Sequence, residues 1–296
     1  MKTILFIAAA ALLAACGAGA QGVGQAIRRT PLDAAAQAQR QQHLESSEAA
    51  WADRLDEIKL RVAIAGWEGA VGIQDDDHES AARLARAYYL LADGHLVFDA
   101  ARRDEFLKAH ESGMKWAEHG MLAISPEYEK RRRTGAKIED AIMKLGRDAV
   151  PLMYWWDVNL GKWAKAQDIA TVLQHKDRIY RVMSRVAELW PDYFYGAPDR
   201  YFGGYFAVAP SFAGGDPQKA KAFFEASLKL APNYIATHVL IADLLAPKLS
   251  DGRALAEREL KWVLETPADI IPEVTPEATI EKKKAEKILG ELDDRF

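Results

Sequence analysis

The densest set of potential ligands in the chain is Asp75-Asp76-Asp77-His78-Glu79. Carboxylates and an imidazole this close together have the chemistry to hold a cation or to move protons. Their position argues for another use. They fall at a turn between two helical patterns, where acids cap the next helix and favour its positive end. The other histidines are His43, His95, His110, His119, His175 and His238, and none shows a metal-binding spacing such as His-x-x-x-His. The stretch FAGGDP, from Phe212 to Pro217, looks at first like a phosphate loop. It lacks a lysine at the required distance, and no strand pattern precedes it. Gly214 and Gly215 read instead as a tight turn, Asp216 as an N-cap and Pro217 as the first helical residue. No nucleophile elbow, P-loop or dinucleotide glycine pattern occurs, and the carboxylates cannot be paired for acid–base work. The expectation is a protein that is not an enzyme, with no cofactor and no bound metal.

Cys16 is the only cysteine of 296 residues, so no internal disulfide is possible. It follows Lys2 and an apolar run from Ile4 to Ala15, too short to span a bilayer and suited to a signal-peptide core. Leu13-Ala14-Ala15-Cys16 resembles a bacterial lipobox, in which the cysteine is acylated and becomes the new N-terminus. Residues 1–15 are therefore expected as a leader, 16–45 as an acylated Cys16 with a flexible tether, and 46–296 as the folded domain. Gly17 is compatible with passage to the outer membrane; the inner membrane stays open. The formal net charge is −4, which gives no general drive toward nucleic acid.

The aromatic residues carry the strongest hint of binding. In VPLMYWWDVNLGKW (150–163), Trp156, Leu160 and Trp163 share one helix face, while Tyr154 and Trp155 point elsewhere. A second cluster, YFYGAPDRYFGGYF, runs from Tyr193 to Phe206. Both segments could be buried core or the wall of an apolar cavity. Trp155, Trp156, Trp163, Tyr201 and Tyr205 are the candidate lining residues. Lys130-Arg131-Arg132-Arg133 is read as a solvated loop or as a contact for an acidic partner.

These segments are positioned by helices. Alanine, leucine, glutamate and lysine dominate, alternating β-type runs are almost absent, and apolar residues recur at three and four from Trp51 onward. Triplets with small–large–small spacing at i, i+4 and i+7 repeat along the chain, each followed by a stop: Ala63/Trp67/Ala70, Gly113/Ala117/Gly120, Ala220/Phe224/Ser227 and Ala256/Leu260/Val263, with Ile179/Met183/Val186 fitting the spacing with bulkier residues. The fold class read from them is all-α: an array of antiparallel helical hairpins, a degenerate tetratricopeptide-like solenoid with uneven spacing. Thr275-Pro276-Glu277 reads as the capped start of a last, very polar helix that closes the array.

Three features together resemble one family: the lipobox-type start, the run YWWDVNLGKWAKAQD followed by ELWPDYFYG, and the block YGAPDRYFGGYFAVAPSFAGGDPQKAKAFFEASLKLAPNY. The chain from about residue 45 to its end is similar to the T component of TRAP transporters, called TatT. Arg200 and Gly204 depart from the family's pattern. The resemblance implies a lipid-anchored periplasmic protein with cryptic tetratricopeptide-like repeats, forming a homotrimer. It also implies an apolar channel through each protomer for a small hydrophobic ligand, fatty-acid-like, and docking of the substrate-binding P protein. The alternatives are an envelope scaffold without a channel, and a hydrolase of envelope lipids.

Overall fold

The computed structural model describes residues 25–296; the expected leader 1–15 and Cys16 lie outside the described residues. Among the described residues there are fourteen α-helices and no strand. In chain order they are α1 (Ala34–Ala52), α2 (Glu57–Ile73), α3 (His78–Leu90), α4 (Arg103–Ile124), α5 (Pro126–Arg133), α6 (Ile138–Ala141) and α7 (Val150–Gln167). There follow α8 (Ile169–Leu189), α9 (Tyr193–Val208), α10 (Pro217–Leu230), α11 (Ile235–Leu240), α12 (Gly252–Glu265), α13 (Thr275–Gly290) and α14 (Leu292–Arg295). Residues 34–45, read above as tether, form the first part of α1. Lys130–Arg133, read as loop, is the last turn of α5.

Aspartates start several of these helices. Asp33, Asp56, Asp77, Asp168 and Asp216 each accept a backbone amide from the second or third residue of the following helix. A side-chain oxygen there satisfies donors that have no partner inside the helix. Asp77 also holds Arg40, and Asp75 accepts the amide of Arg28, so the acidic cluster is spent on capping and on tying segments together. At α13 the expectation needs correcting. Thr275 lies inside the helix, not at its cap, and its hydroxyl donates to the Pro272 carbonyl.

Consecutive helices pack in pairs: α1 with α2, α3 with α4, α7 with α8, and α9 with α10. Helix α4 also packs along α7, which joins the α3/α4 and α7/α8 pairs in the main core. The triplet residues lie at these contacts. Ala63, Trp67, Ala70, Ala117, Ala220, Leu260 and Val263 are wholly buried. Gly120 and Gly203 allow close approaches between helices. A Cβ on Gly120 would stand 2.3 Å from Leu152, and one on Gly203 would stand 2.8 Å from the Phe224 ring. A smaller cluster joins α11, α12 and α13. Ile280 of α13 is buried instead among α2–α4 residues, so the last long helix returns to the start of the chain.

Because Phe224 is nearly fully buried, its ring cannot swing out to solvent. Gly203→Val is expected to destabilise the protein by about 2 kcal/mol through overpacking. Thermal unfolding followed by circular dichroism should show a midpoint lower by several degrees. An unchanged midpoint would mean that α9 and α10 do not meet there.

Candidate ligand-binding cavity

Helices α3, α7, α9, α11 and α13 do not close completely on one another. They leave a cavity of about 570 Å3. That lies within the usual range for small-molecule sites, roughly 300–1,000 Å3. Helix α7 presents Trp155, Val158, Gly161 and Lys162 to it. The opposite face of α7 is the one that carries Trp156 and Trp163. Trp156 is buried in the main core, and Trp163 donates through Nε1 to Glu111 at 3.0 Å. The wall therefore contains Trp155, Tyr201 and Tyr205 of the candidate residues and does not contain Trp156 or Trp163. Gly214, Gly215, Asp216 and Pro217 form the turn and start of α10, away from this wall.

The aromatic end of the cavity is built on an unusual turn. Phe194, Tyr195 and Gly196 have φ values of 44°, 60° and 68°. A left-handed turn costs a non-glycine residue roughly 1–2 kcal/mol. Arg200 offsets this from one turn further on. Its guanidinium donates to the Tyr195 carbonyl at 2.8 Å and the Phe194 carbonyl at 3.2 Å, and lies 4.4 Å above the Tyr234 ring. The turn delivers Phe194 to the wall, where it meets the rings of Trp155 at 5.4 Å and Tyr234 at 5.9 Å. Arg86 sits 4.9 Å above the Phe194 ring and is paired with Glu277 at 2.7 Å. Glu277, read as a helix-start acid, thus also binds Arg54 and ties α13 to the turn after α1 and to α3.

The polar side of the cavity depends on two π-helical turns, Leu91–His95 and Ile241–Leu245. Such turns often mark functional sites. Each carries an aspartate as its third residue, in the parallel contexts Leu91-Ala92-Asp93 and Ile241-Ala242-Asp243. Asp93 accepts from Lys162 of α7 and Lys284 of α13, both at 2.6 Å. Asp243 accepts from Arg295 at 2.8 Å, with Lys165 at 3.9 Å. Burial alone would raise the Asp93 carboxyl. The two flanking ammonium groups outweigh it and hold the group well below the usual carboxylate range. This contribution to stability is present above the unfolded value, about 3.9, and is lost as the pH falls through the depressed folded value.

In all, eight cationic side chains and five carboxylates line the cavity. The whole chain is net negative, so the surplus of positive charge is local. Asp93, Lys162 and Lys284 were not singled out in the sequence reading. The repeated apolar-Ala-Asp in otherwise helical segments was the available signal. Among the described residues no group of three His, Cys, Asp or Glu side chains is placed to hold a metal. His110 is wholly buried; its Nδ1 hydrogen bonds to Asn159 Oδ1 at 2.8 Å, and burial pushes it down to about 4.

Behind this wall lies Asp157, fully buried on α7. Neither of its carboxylate oxygens has a hydrogen-bond partner among the described residues. Burial pushes its carboxyl well above the usual range, with only the nearby Tyr201 hydroxyl opposing.

The described residues form an all-helical protein with an amphipathic cavity, and the comparison with known families gives its class. Residues 98–296 match the TRAP transporter T-component family, and the chain belongs to it. The matched span includes Lys162, Arg200 and Lys284 and begins just after the π-turn that carries Asp93. The curated proteins contain no match to the chain. No helix among the described residues is long and apolar enough to cross a membrane.

An unpartnered buried polar group costs about 1–3 kcal/mol. Asp157→Leu is therefore expected to stabilise the protein by that amount at pH 7. The folded state holds the Asp157 proton more tightly than the unfolded state. The Asp157 contribution to stability should therefore fall as the pH rises above about 3.9, so the gain from Asp157→Leu should shrink toward pH 4. Urea unfolding at pH 4 and pH 7 measures both. A loss of stability at pH 7 would mean that Asp157 has a partner.

Proposed function

We propose that the protein is a lipid-anchored periplasmic T component that takes a small, largely hydrophobic ligand into the cavity. It exchanges that ligand with the substrate-binding P protein of its TRAP system. Membership of the T-component family supports the transport setting. The observation that carries the ligand is the cavity itself, with aromatic rings at one end and Lys162, Lys284 and Asp93 on its wall. An acyl chain fits the rings, at about 25 cal/mol per Å2 of apolar surface removed from water. A carboxylate head fits the lysines, which already hold one carboxylate between them.

In this reading the paired helices act as a degenerate tetratricopeptide-like array, and the protein works as a homotrimer with one cavity per protomer. Cys16 bears the acyl groups that hold it at the outer or inner membrane. The cavity extends into a channel through which the ligand passes to the docked P protein. No catalytic step is required. A scaffold without a ligand would leave an aromatic-walled hollow of this size unexplained.

Isothermal titration with dodecanoate and dodecanol separates the two parts of the site. Dodecanoate is expected to bind, and Lys162→Gln to weaken it about tenfold while leaving dodecanol unaffected. Ala197→Trp, which fills the cavity from α9, should abolish both. If neither compound binds the wild-type protein, the ligand reading fails. If Lys162→Gln weakens both equally, the head-group assignment fails.

A further inference from the structure

The cationic run Lys130–Arg133 takes no part in the cavity. It forms the last turn of α5, and the N-terminal strap runs beside it. Ile27 is buried in the main core, and its amide donates to Glu129 Oε1 at 3.0 Å. The Arg28 amide donates to Asp75 Oδ2 at 2.7 Å. The Arg29 guanidinium spans Glu129 and the Leu122 carbonyl, both at 2.7 Å. Further out, the Arg133 guanidinium donates to the Gln25 carbonyl. The chain thus leaves the body, on its way to Cys16, at the end of α5.

This corner is rich in positive charge. Arg28, Arg29, Lys130, Arg131, Arg132, Arg133 and Lys137 gather here. Among the described residues the carboxylates that pair with them include Asp75, Glu118, Glu127 and Glu129. Glu129 serves both Arg29 and Arg133. The Arg28 side chain is 71% exposed, and Lys130 and Lys137 are exposed too. Glu139 and Asp140, the next acids along the chain, are engaged by Arg178 and Arg181 of α8.

We propose that this corner is a docking surface for an anionic lipid bilayer, and that it orients the body with the end of α5 toward the membrane. The proposal rests on the reading of Cys16 as the lipid anchor. Cys16 lies nine residues before Gln25, a stretch that can reach at most about 30 Å. The strap, fixed by its contacts with α4 and α5, keeps the cationic corner within that reach of the bilayer surface. Anionic headgroups attract lysine and arginine there, within a Debye length of about 10 Å at 0.1 M salt. An acidic protein would meet the same charges, but the tether places a bilayer beside them.

The test uses the chain from residue 16 onward with Cys16→Ser, so that no acyl group contributes. Cosedimentation with phosphatidylglycerol vesicles should show binding that 0.5 M salt releases, and phosphatidylcholine vesicles should not bind. The triple variant Lys130→Gln, Arg131→Gln, Lys137→Gln should weaken binding about 100-fold, roughly fivefold per cation. A control with Lys219, Lys221 and Lys229 of α10 changed to Gln should bind as the wild type does. Equal binding to both lipids, no effect of the triple variant, or equal loss in the control would overturn the proposal. So would capture of an acidic protein with no affinity for phosphatidylglycerol. The mass of the mature wild-type N-terminus reports acylation separately, so an unacylated Cys16 would sink the anchor reading without deciding the vesicle result.

Discussion

The structure around the cavity depends on one partly buried ionic bridge, Lys162–Asp93–Lys284. It joins the π-turn after α3 to α7 and α13 across the cavity wall. Charges taken out of water are expensive, and such a bridge holds only because each charge finds its partner at short range. Removing Asp93 would strand Lys162, whereas Lys284 also pairs with Glu281, and loss of either lysine leaves Asp93 the other. An apolar filling of the same space would pack at least as well and would close the hollow. Retaining the ions keeps the wall both rigid and polar. Asp243 and Arg295 repeat the arrangement on the second π-turn, so both polar parts of the wall are fixed by backbone irregularities that aim an aspartate inward.

The aromatic end follows a similar logic by different means. The left-handed turn at Phe194 and Tyr195 would not form unaided. Arg200 caps its carbonyls, Tyr195 donates to Glu273 at 2.7 Å, and the Tyr195 and Tyr234 rings stack at 4.9 Å. Strain at one point is offset by contacts that reach forward to α11 and to the turn before α13. The result is a row of rings held open around the hollow. Helix α13 completes the enclosure, pinned to the first helices by Glu277 with Arg54 and Arg86.

Much of this was legible in the sequence, for identifiable reasons. The 3.6-residue period and the small–large–small triplets gave helices and their contact points, because close helix approach requires small residues. FAGGDP was read as a turn and helix start, and Gly214 does adopt φ 95° with Asp216 capping α10. Helix α7 was harder. Its aromatic residues occupy nearly all of its circumference, so periodicity could not say which face met a cavity. The face with Trp155 and Lys162 does; the face with Trp156 and Trp163 does not. The bridge was illegible because Asp93, Lys162 and Lys284 stand far apart in the chain, and lysines in EKKKAEK look like solvent-facing residues. The polar helix read as a cap turns one of them, Lys284, inward. Arg200 stood out only as a residue in an apolar setting, since a left-handed turn at two aromatics leaves no local signature.

Diffraction from crystals grown with 12-bromododecanoic acid tests the central claim most directly, because anomalous scattering locates the bromine without reference to the protein density. The account predicts one bromine peak among Trp155, Phe194 and Tyr234, with the carboxylate at Lys162 and Lys284. A bromine peak outside the cavity, or none under conditions where the acid binds in solution, would contradict it.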